Sequence, residues 1–423
     1  MAGVAPRIDV ERVIADLREL DRRTGGPDGA RRVAWGQEWR AARGFVAELL
    51  AEIGVEPERD EAGNVWAYLP GEAEPALALG SHVDSVPSGG WLDGALGVMA
   101  AVGILRAWAQ SGRRPPRTLA LVDFADEEGA SFGRSLLGSS ALSGTLDPEA
   151  VAGLRDPEDR TLAEALAENG VDLARALDAG RRRERLAAFC ELHIEQGPVL
   201  EAEGLAVAAV GGCAGVERRR LRFSGQASHA GTTPMDARRD AGLAAAETAL
   251  AVERVAREHG GVGTTGALAL EPGIATAVAG VAELVVDLRH PEAGELAAML
   301  DEVLGAGDAA AAGRGCGLTS ETVWRIEPIP FDAELVELAL QAARRSGRGS
   351  PEVLVSGALH DAAEVARTMP TAMMFTSSIA GISHAKEEDT VEADLAVAIE
   401  AFGDLAESAL EANLGSRRRS DQT

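Results

Sequence analysis

Apolar residues recur at helical spacing over residues 8–22, where Ile8, Val10, Val13, Ile14 and Leu17 interrupt a charged background. Residues 36–53 predict a second helix, and 61–70 a turn at Gly63-Asn64 followed by a short strand. PALALGSHVD (75–84) has the continuous apolar run of a buried strand and ends in polar residues. A helix over 94–110 follows, then TLALVDFADEEG (118–129), a second apolar strand that ends in acids. Strand, helix, strand at this spacing predicts a βαβ unit. FCELHIEQGP (189–198) and TAMMFTSSIAGISH (371–384) repeat the form. Open α/β sheets place their sites at the carboxyl ends of parallel strands, where these polar residues fall.

The middle of the chain has another rhythm. VERRRLRFS (216–224) alternates, and an Ala-rich helix is predicted over roughly 236–258. Strands near 264–271 and 279–289, a helix near 292–304 and a strand near 318–325 complete a β-α-β-β-α-β order, the split ferredoxin-like unit. The chain therefore divides into a catalytic domain from 1–208 and 327–423, with an α+β domain inserted at 209–326. PIPFD (328–332) marks the return to the first domain, and the tail SRRRSDQT reads as disordered.

Composition narrows the choices. The 423 residues carry 41 Lys plus Arg against 67 Asp plus Glu, a net charge of −26. That balance gives no general attraction for nucleic acid or for an anionic membrane. Cys190, Cys213 and Cys316 form no CxxC pair, so they read as small buried hydrophobes. The front of the chain turns polar too soon for a signal peptide, and the apolar run from 94 stops at Arg106, too short for a membrane span. A cytoplasmic location is expected.

The histidines and acids carry the chemistry. His82 and Asp84 form an HxD pair whose members share one face of a strand. Asp93 precedes the 94–110 helix, and Asp126, Glu127 and Glu128 end the next strand. Taken alone, an HxD is a weak signal and a Glu-Glu pair is an ordinary solvated one. Their place after apolar strands changes that. His82, Asp93, Glu128, His193 and His384 would offer nitrogen and oxygen donors suited to zinc, manganese, cobalt or nickel. One carboxylate bridging two ions would make a dinuclear hydrolytic centre, with Glu127 left over as general base. His259 and His290 read as surface residues. The tryptophans read as packing residues, with Trp91 near enough to Asp93 to line a pocket. GALGVMAAVG lacks both GxGxxG spacing and a P-loop lysine.

GSHVDSVPSGGWLDGALGV (80–98), FADEEGASFGRSLLGS (124–139), ELHIEQGPVLEAEG (191–204), SHAGTTPMDARRDA (228–241), VVDLRHPE (285–292), SGALHDAAEVA (356–366) and GISHAKEEDT (381–390) resemble the amidase family of N-carbamoyl-L-amino acid hydrolases, allantoate amidohydrolases and β-ureidopropionases. These are dinuclear metal enzymes related to the aminoacylase and carboxypeptidase-like exopeptidases. The resemblance implies a mixed-sheet α/β catalytic domain with an inserted ferredoxin-like domain that acts as lid and homodimer contact. It implies His82, Asp93, Glu128, His193 and His384 as ligands of two divalent ions, with Asp93 as the bridge. By the same resemblance Glu127 is the general base, Asp84 orients His82, and His229 polarises the substrate carbonyl. Arg289 clamps a carboxylate, and Gln196 and His360 line the pocket.

The chain departs from the resemblance at Thr276-Ala277-Val278-Ala279, where an Asn-x-Ile-Pro is usual, at Leu359, and at Ser377-Ser378. Thr276, standing for the Asn, would touch the carboxylate with one hydroxyl. The expected reaction is hydrolysis of an N-carbamoyl-L-amino acid to amino acid, carbon dioxide and ammonia. Allantoate and N-carbamoyl-β-alanine are the rival substrates. A non-catalytic metal-binding or scaffolding protein on the same fold is a remoter alternative.

Overall fold

The computed structural model describes residues 6–412, so the polar tail lies outside the described residues. The described residues form two compact units, one running up to Gly212 and from Pro330 onward, the other Cys213–Ile329.

The first unit is built on one mixed sheet. Three strands, Ala76–His82, Leu119–Phe124 and Leu186–Ile194, run parallel, and Thr371–Thr376 joins them parallel to Leu186–Ile194. Val65–Leu69 and Val207–Cys213 flank the parallel block in antiparallel pairings. All four parallel strands are buried along their length, which explains their unbroken apolar runs. Register sets His82 opposite Phe124, and His193 opposite Phe375. The polar residues that close these strands thus emerge at one edge.

Helix Ala95–Gln110 is apolar nearly all round because it packs on both sides, against the parallel strands and against helices Val10–Thr24 and Gln37–Ala51. Gly97 allows the approach; a Cβ there would lie 2.6 Å from the Leu192 carbonyl oxygen. Val10–Thr24 is capped by Asp9 and buries Val13, Leu17 and Leu20. Its Asp16 meets the buried Arg106 at 2.7 Å, so Arg106 interrupts an apolar helix without standing unpaired.

The second unit has a four-stranded antiparallel sheet in the order Val262–Glu271, Val281–His290, Gly215–Ser224, Gly317–Ile326. Helices Ala241–His259 and Ala293–Gly313 cover one face, where Leu221, Phe223, Leu284, Val286 and Leu288 are buried. The Ala-rich helix starts later than the sequence suggests, because Asp240 caps it and Met235–Ala237 forms a separate turn. His290 is in phase with the buried positions of its strand and is itself buried, contrary to a surface reading. His259 is partly covered between Glu295 and Glu302. Cys190 and Cys213 are buried, but Cys316 is only half-buried, and Trp324 is exposed rather than packed in a core. Among the described residues, no helix is long and apolar enough to cross a membrane.

Candidate metal centre

The carboxyl edge of the parallel strands gathers His82, Asp93, Glu128, His193 and His384. His82 is the last residue of its strand, and His193 the penultimate residue of the neighbouring one. Asp93 stands before Gly94, whose φ of 62° turns the chain into helix Ala95–Gln110. A Cβ on Gly94 would lie 2.4 Å from the His82 ring, so only glycine allows this turn against the imidazole. Glu127 and Glu128 occupy the turn after Leu119–Phe124, which begins at the left-handed Asp126. His384 lies in a loop, with φ of 55° and a half-exposed side chain.

Asp93 divides its carboxylate between two groups of donors. Its Oδ1 is 3.2 Å from His193 Nε2 and 3.7 Å from His82 Nε2. Its Oδ2 is 3.6 Å from His384 Nε2, which lies 3.4 Å from Glu128 Oε2. Within each group, His82/Asp93/His193 and Asp93/Glu128/His384, the donor atoms all lie within 4.8 Å of one another.

The ring tautomers suit a cation. His82 Nδ1 lies 3.1 Å from the Asp84 carbonyl oxygen, and His193 Nδ1 3.0 Å from that of Ile194. A carbonyl needs an N–H, so each proton belongs on Nδ1 and each Nε2 keeps its lone pair. Both Nε2 atoms are buried without a hydrogen-bond partner. A buried lone pair left unmade is costly, and a metal ion would satisfy it. The acids point the same way. Burial, then the Asp93 charge, holds Glu128 well above the usual carboxylate range. Burial also raises Glu127, with Glu128, Asp361 and Asp84 adding to it and His82 opposing. Burial would lower His82, but Glu127, Asp84 and Asp93 outweigh it and hold it well above an ordinary imidazole, a pull toward positive charge at Nε2 that a metal ion would meet in place of a proton. So many buried acids cannot all ionise alone, and two dications would relieve the repulsion. The donors are imidazole and carboxylate, a set for hard or borderline divalent ions.

The remaining candidates in this unit lie close by. Asp84 Oδ1 and Oδ2 accept the backbone N–H groups of Glu127 (3.3 Å) and Glu128 (3.1 Å), and Oδ1 is 3.5 Å from His82 Nδ1. This carboxylate thus fixes the Glu127-Glu128 turn as well as facing the histidine. Glu127 Oε2 lies 3.7 Å from His82 Nε2, and Glu127 belongs to neither donor group. The Gln196 side-chain amide donates to Asp93 Oδ2 at 2.9 Å, and its backbone N–H donates to the Ser378 hydroxyl. Ser378, one of the departures noted above, therefore anchors a residue of the site. His360 is buried with its ring 4.5 Å from that of His193 and its Nε2 3.0 Å from the Ser356 hydroxyl. Burial and the neighbouring His193 hold it well below the usual imidazole range, as a neutral ring. Trp91 donates from its indole to Asp389 at 3.0 Å and carries Arg18 over its ring.

The other three candidates belong to the second unit. His229 and Thr276 sit together on a small ribbon, Ser228–His229 paired with Ala277–Val278, and both are exposed. The Thr276 carbonyl accepts the Ala230 N–H at 2.9 Å. Arg289 lies on the face of the sheet away from the helices, where its Nε donates to Asp287 at 2.8 Å.

The sequence reading passed over Glu388, Asp361 and Glu191. Glu388 accepts from the backbones of both Asp93 and His384. Glu191 is buried and accepts from Ser81 and from the Ala362 N–H. Asp361 is buried beside His360 in sequence, and burial and Glu191 hold it well above the usual carboxylate range. Glu388 follows His384 by four residues in an acidic run, which reads as solvent-facing. Glu191 alternates with His193 on its strand, a signal that was present but shared with every buried strand.

Residues 78–408 match the sequence profile of Peptidase family M20/M25/M40. An N-carbamoyl-L-amino acid amidohydrolase of Geobacillus stearothermophilus is 36% identical over 390 residues, covering 92% of this chain and 94% of that one. An allantoate amidohydrolase of Bacillus subtilis is 32% identical over 383 residues, covering 89% and 92%. A crystal structure of a hydantoinase/carbamoylase family amidase from Burkholderia multivorans superposes with a TM-score of 0.87 at 31% identity, covering 95% of this chain and 98% of that one. With the two donor groups that share Asp93, these likenesses make the protein a metal-dependent amidohydrolase with a dinuclear site. The chain belongs to the hydantoinase/carbamoylase family of M20-like dinuclear-metal amidases.

Proposed function

We propose that the enzyme hydrolyses the ureido C–N bond of an N-carbamoyl-L-amino acid, releasing amino acid, carbon dioxide and ammonia. The observation that carries this reading is the carboxylate of Asp93 shared by two donor groups, with Glu127 outside both and 3.7 Å from His82 Nε2. His82 and His193 would hold one ion, Glu128 and His384 the other, with Asp93 between them. Bound there, the two ions supply an acidified water and a polarised carbonyl.

The chain's own residues do the rest. Glu127 takes a proton from the attacking water as the oxygen adds to the ureido carbon. It returns that proton to the departing amino nitrogen, so the C–N bond breaks without expelling an amide anion. The carbamic acid left behind divides into carbon dioxide and ammonia, which balances the reaction with one water. Asp84 keeps the Glu127 turn in place through two backbone N–H groups. We assign His229 to the carbonyl oxygen of the substrate, and Arg289 with Thr276 to its carboxylate. What supports Arg289 is its setting: a planar, permanently charged guanidinium, held at Nε by Asp287, on the sheet face away from the helices. Replacing Arg289 with Ala is expected to raise KM for anionic substrates about 10- to 100-fold, the loss of one charge-assisted pair, with a smaller change in kcat. An unchanged KM removes Arg289 from this role.

Substrate choice is tested by ammonia release from N-carbamoyl-L-, N-carbamoyl-D- and N-carbamoyl-β-amino acids and allantoate. The highest kcat/KM is expected for an N-carbamoyl-L-amino acid. A preference for allantoate would reassign the substrate and leave the centre intact. We also propose a homodimer through the second unit. In support, strand Val262–Glu271 is a sheet edge exposed along most of its length, with Val262, Leu268 and Leu270 open.

A further inference from the structure

We propose that Glu388 is a positioning residue that assembles the Asp93/Glu128/His384 donor group by holding the main chains of Asp93 and His384 on one carboxylate. The inference rests on the dinuclear reading above. Glu388 is 1% exposed. Its Oε1 accepts the Asp93 backbone N–H at 3.2 Å. Its Oε2 accepts the His384 backbone N–H at 3.2 Å and the Ser383 hydroxyl at 3.0 Å. Asp93 and His384 come from distant parts of the sequence, and both belong to the Glu128 group of donors.

Three further observations bear on this. Gly90 is packed on the carboxylate so closely that a Cβ would lie 2.0 Å from Glu388 Oε1. The next residue, Asp389, adds a parallel tie by accepting the Trp91 indole N–H at 3.0 Å. Residues 388 and 389 thus pin the Gly90–Asp93 loop to the Ser383–His384 loop. Third, His384 has a left-handed φ of 55° and a half-exposed side chain, so packing does little to hold it. Such a conformation persists only where the surroundings impose it. The hydrogen bond from its N–H to Glu388 supplies that constraint.

A carboxylate is the right group for this task. All three contacts are donors, and a carboxylate offers two acceptor oxygens, one for each loop. Gln at 388 has one acceptor oxygen, and its NH₂ would face a backbone N–H at the other loop. The substitution should therefore release one loop and retain the other. The Asp93–His82–His193 group, with both imidazoles pinned by carbonyls, should survive. The group that needs His384 should loosen.

The test is a Co²⁺ titration of metal-free protein, followed by visible absorption and by metal content after dialysis. Wild type is expected to bind two ions. E388Q is expected to keep the first and to bind the second about 10- to 100-fold more weakly, the usual cost of losing an outer partner of a metal ligand. G90A, which keeps the Glu388 carboxylate but forces it to move, should shift the second ion in the same direction. S383A, which spares both backbone contacts, should bind both ions nearly as wild type. Metal-free melting curves establish that each variant is folded; if E388Q is not, G90A against S383A decides. Two ions bound by E388Q and G90A with wild-type affinity and spectra would overturn the proposal, as would an equal loss of both ions. Fewer than two ions on wild type would instead overturn the dinuclear reading.

Discussion

Glu127→Gln is expected to lower kcat by about 10²- to 10⁴-fold, the range for loss of a general acid–base group, with two metal ions still bound per chain. The substitution preserves shape and the backbone N–H that Asp84 accepts. It removes the ability to take a proton. Glu127 lies 3.7 Å from His82 Nε2 and outside both donor groups, so metal content should not follow activity down. Turnover from initial rates, with metal by elemental analysis of the same sample, checks this. Near-normal turnover would mean that another group carries the proton. Loss of both metal and activity would mean that Glu127 is a ligand.

Asp93→Ala should have the larger structural effect on the centre. One oxygen of Asp93 faces His82 and His193, and the other faces His384. No other residue of the two donor groups is common to both. Its removal should therefore weaken both ions together, by more than the roughly 10- to 100-fold that loss of an outer partner costs, and abolish activity. Asn at this position should be milder, since its single carbonyl oxygen can serve one ion while its NH₂ opposes the other. Dialysis against buffered metal, followed by elemental analysis, should give near zero for Ala and near one for Asn. Two ions retained by the Ala variant would deny Asp93 the bridging place.

Much of this arrangement was legible in the chain. The apolar runs that end in HVD, FADEEG, ELHIEQ and TSSIAGISH are the four parallel strands, because a strand buried on both faces is mostly apolar and gathers its polar residues toward the end where it leaves the sheet. The alternation read in 216–224 falls on strand Gly215–Ser224, whereas the alternation of Val281–His290, which marks His290 as buried, went unread. Strand Val207–Cys213 was missed because its neighbour in space, Thr371–Thr376, lies across the whole inserted unit. Short helices such as Leu162–Glu168 carried a capping box at Thr161 and Glu164 that went unread, being shorter than the window in which periodicity stands out. Glu388 could not be found from pattern. Its burial comes from Gly90 and the 383–384 loop closing over it, contacts that no local rule encodes.

The centre has a consequence for how the protein is made. His82 and His384 are brought to one edge only after the parallel strands have paired across the full insertion. Contacts of such long sequence separation form late, because the loop between them must be closed before they repay it. Until Thr371–Thr376 has docked, the strand edge carries His82, Asp93, Glu128 and His193 without the last imidazole in place. Acquisition of the full complement of ions thus reports that the segments before and after the insertion have reached their final neighbours.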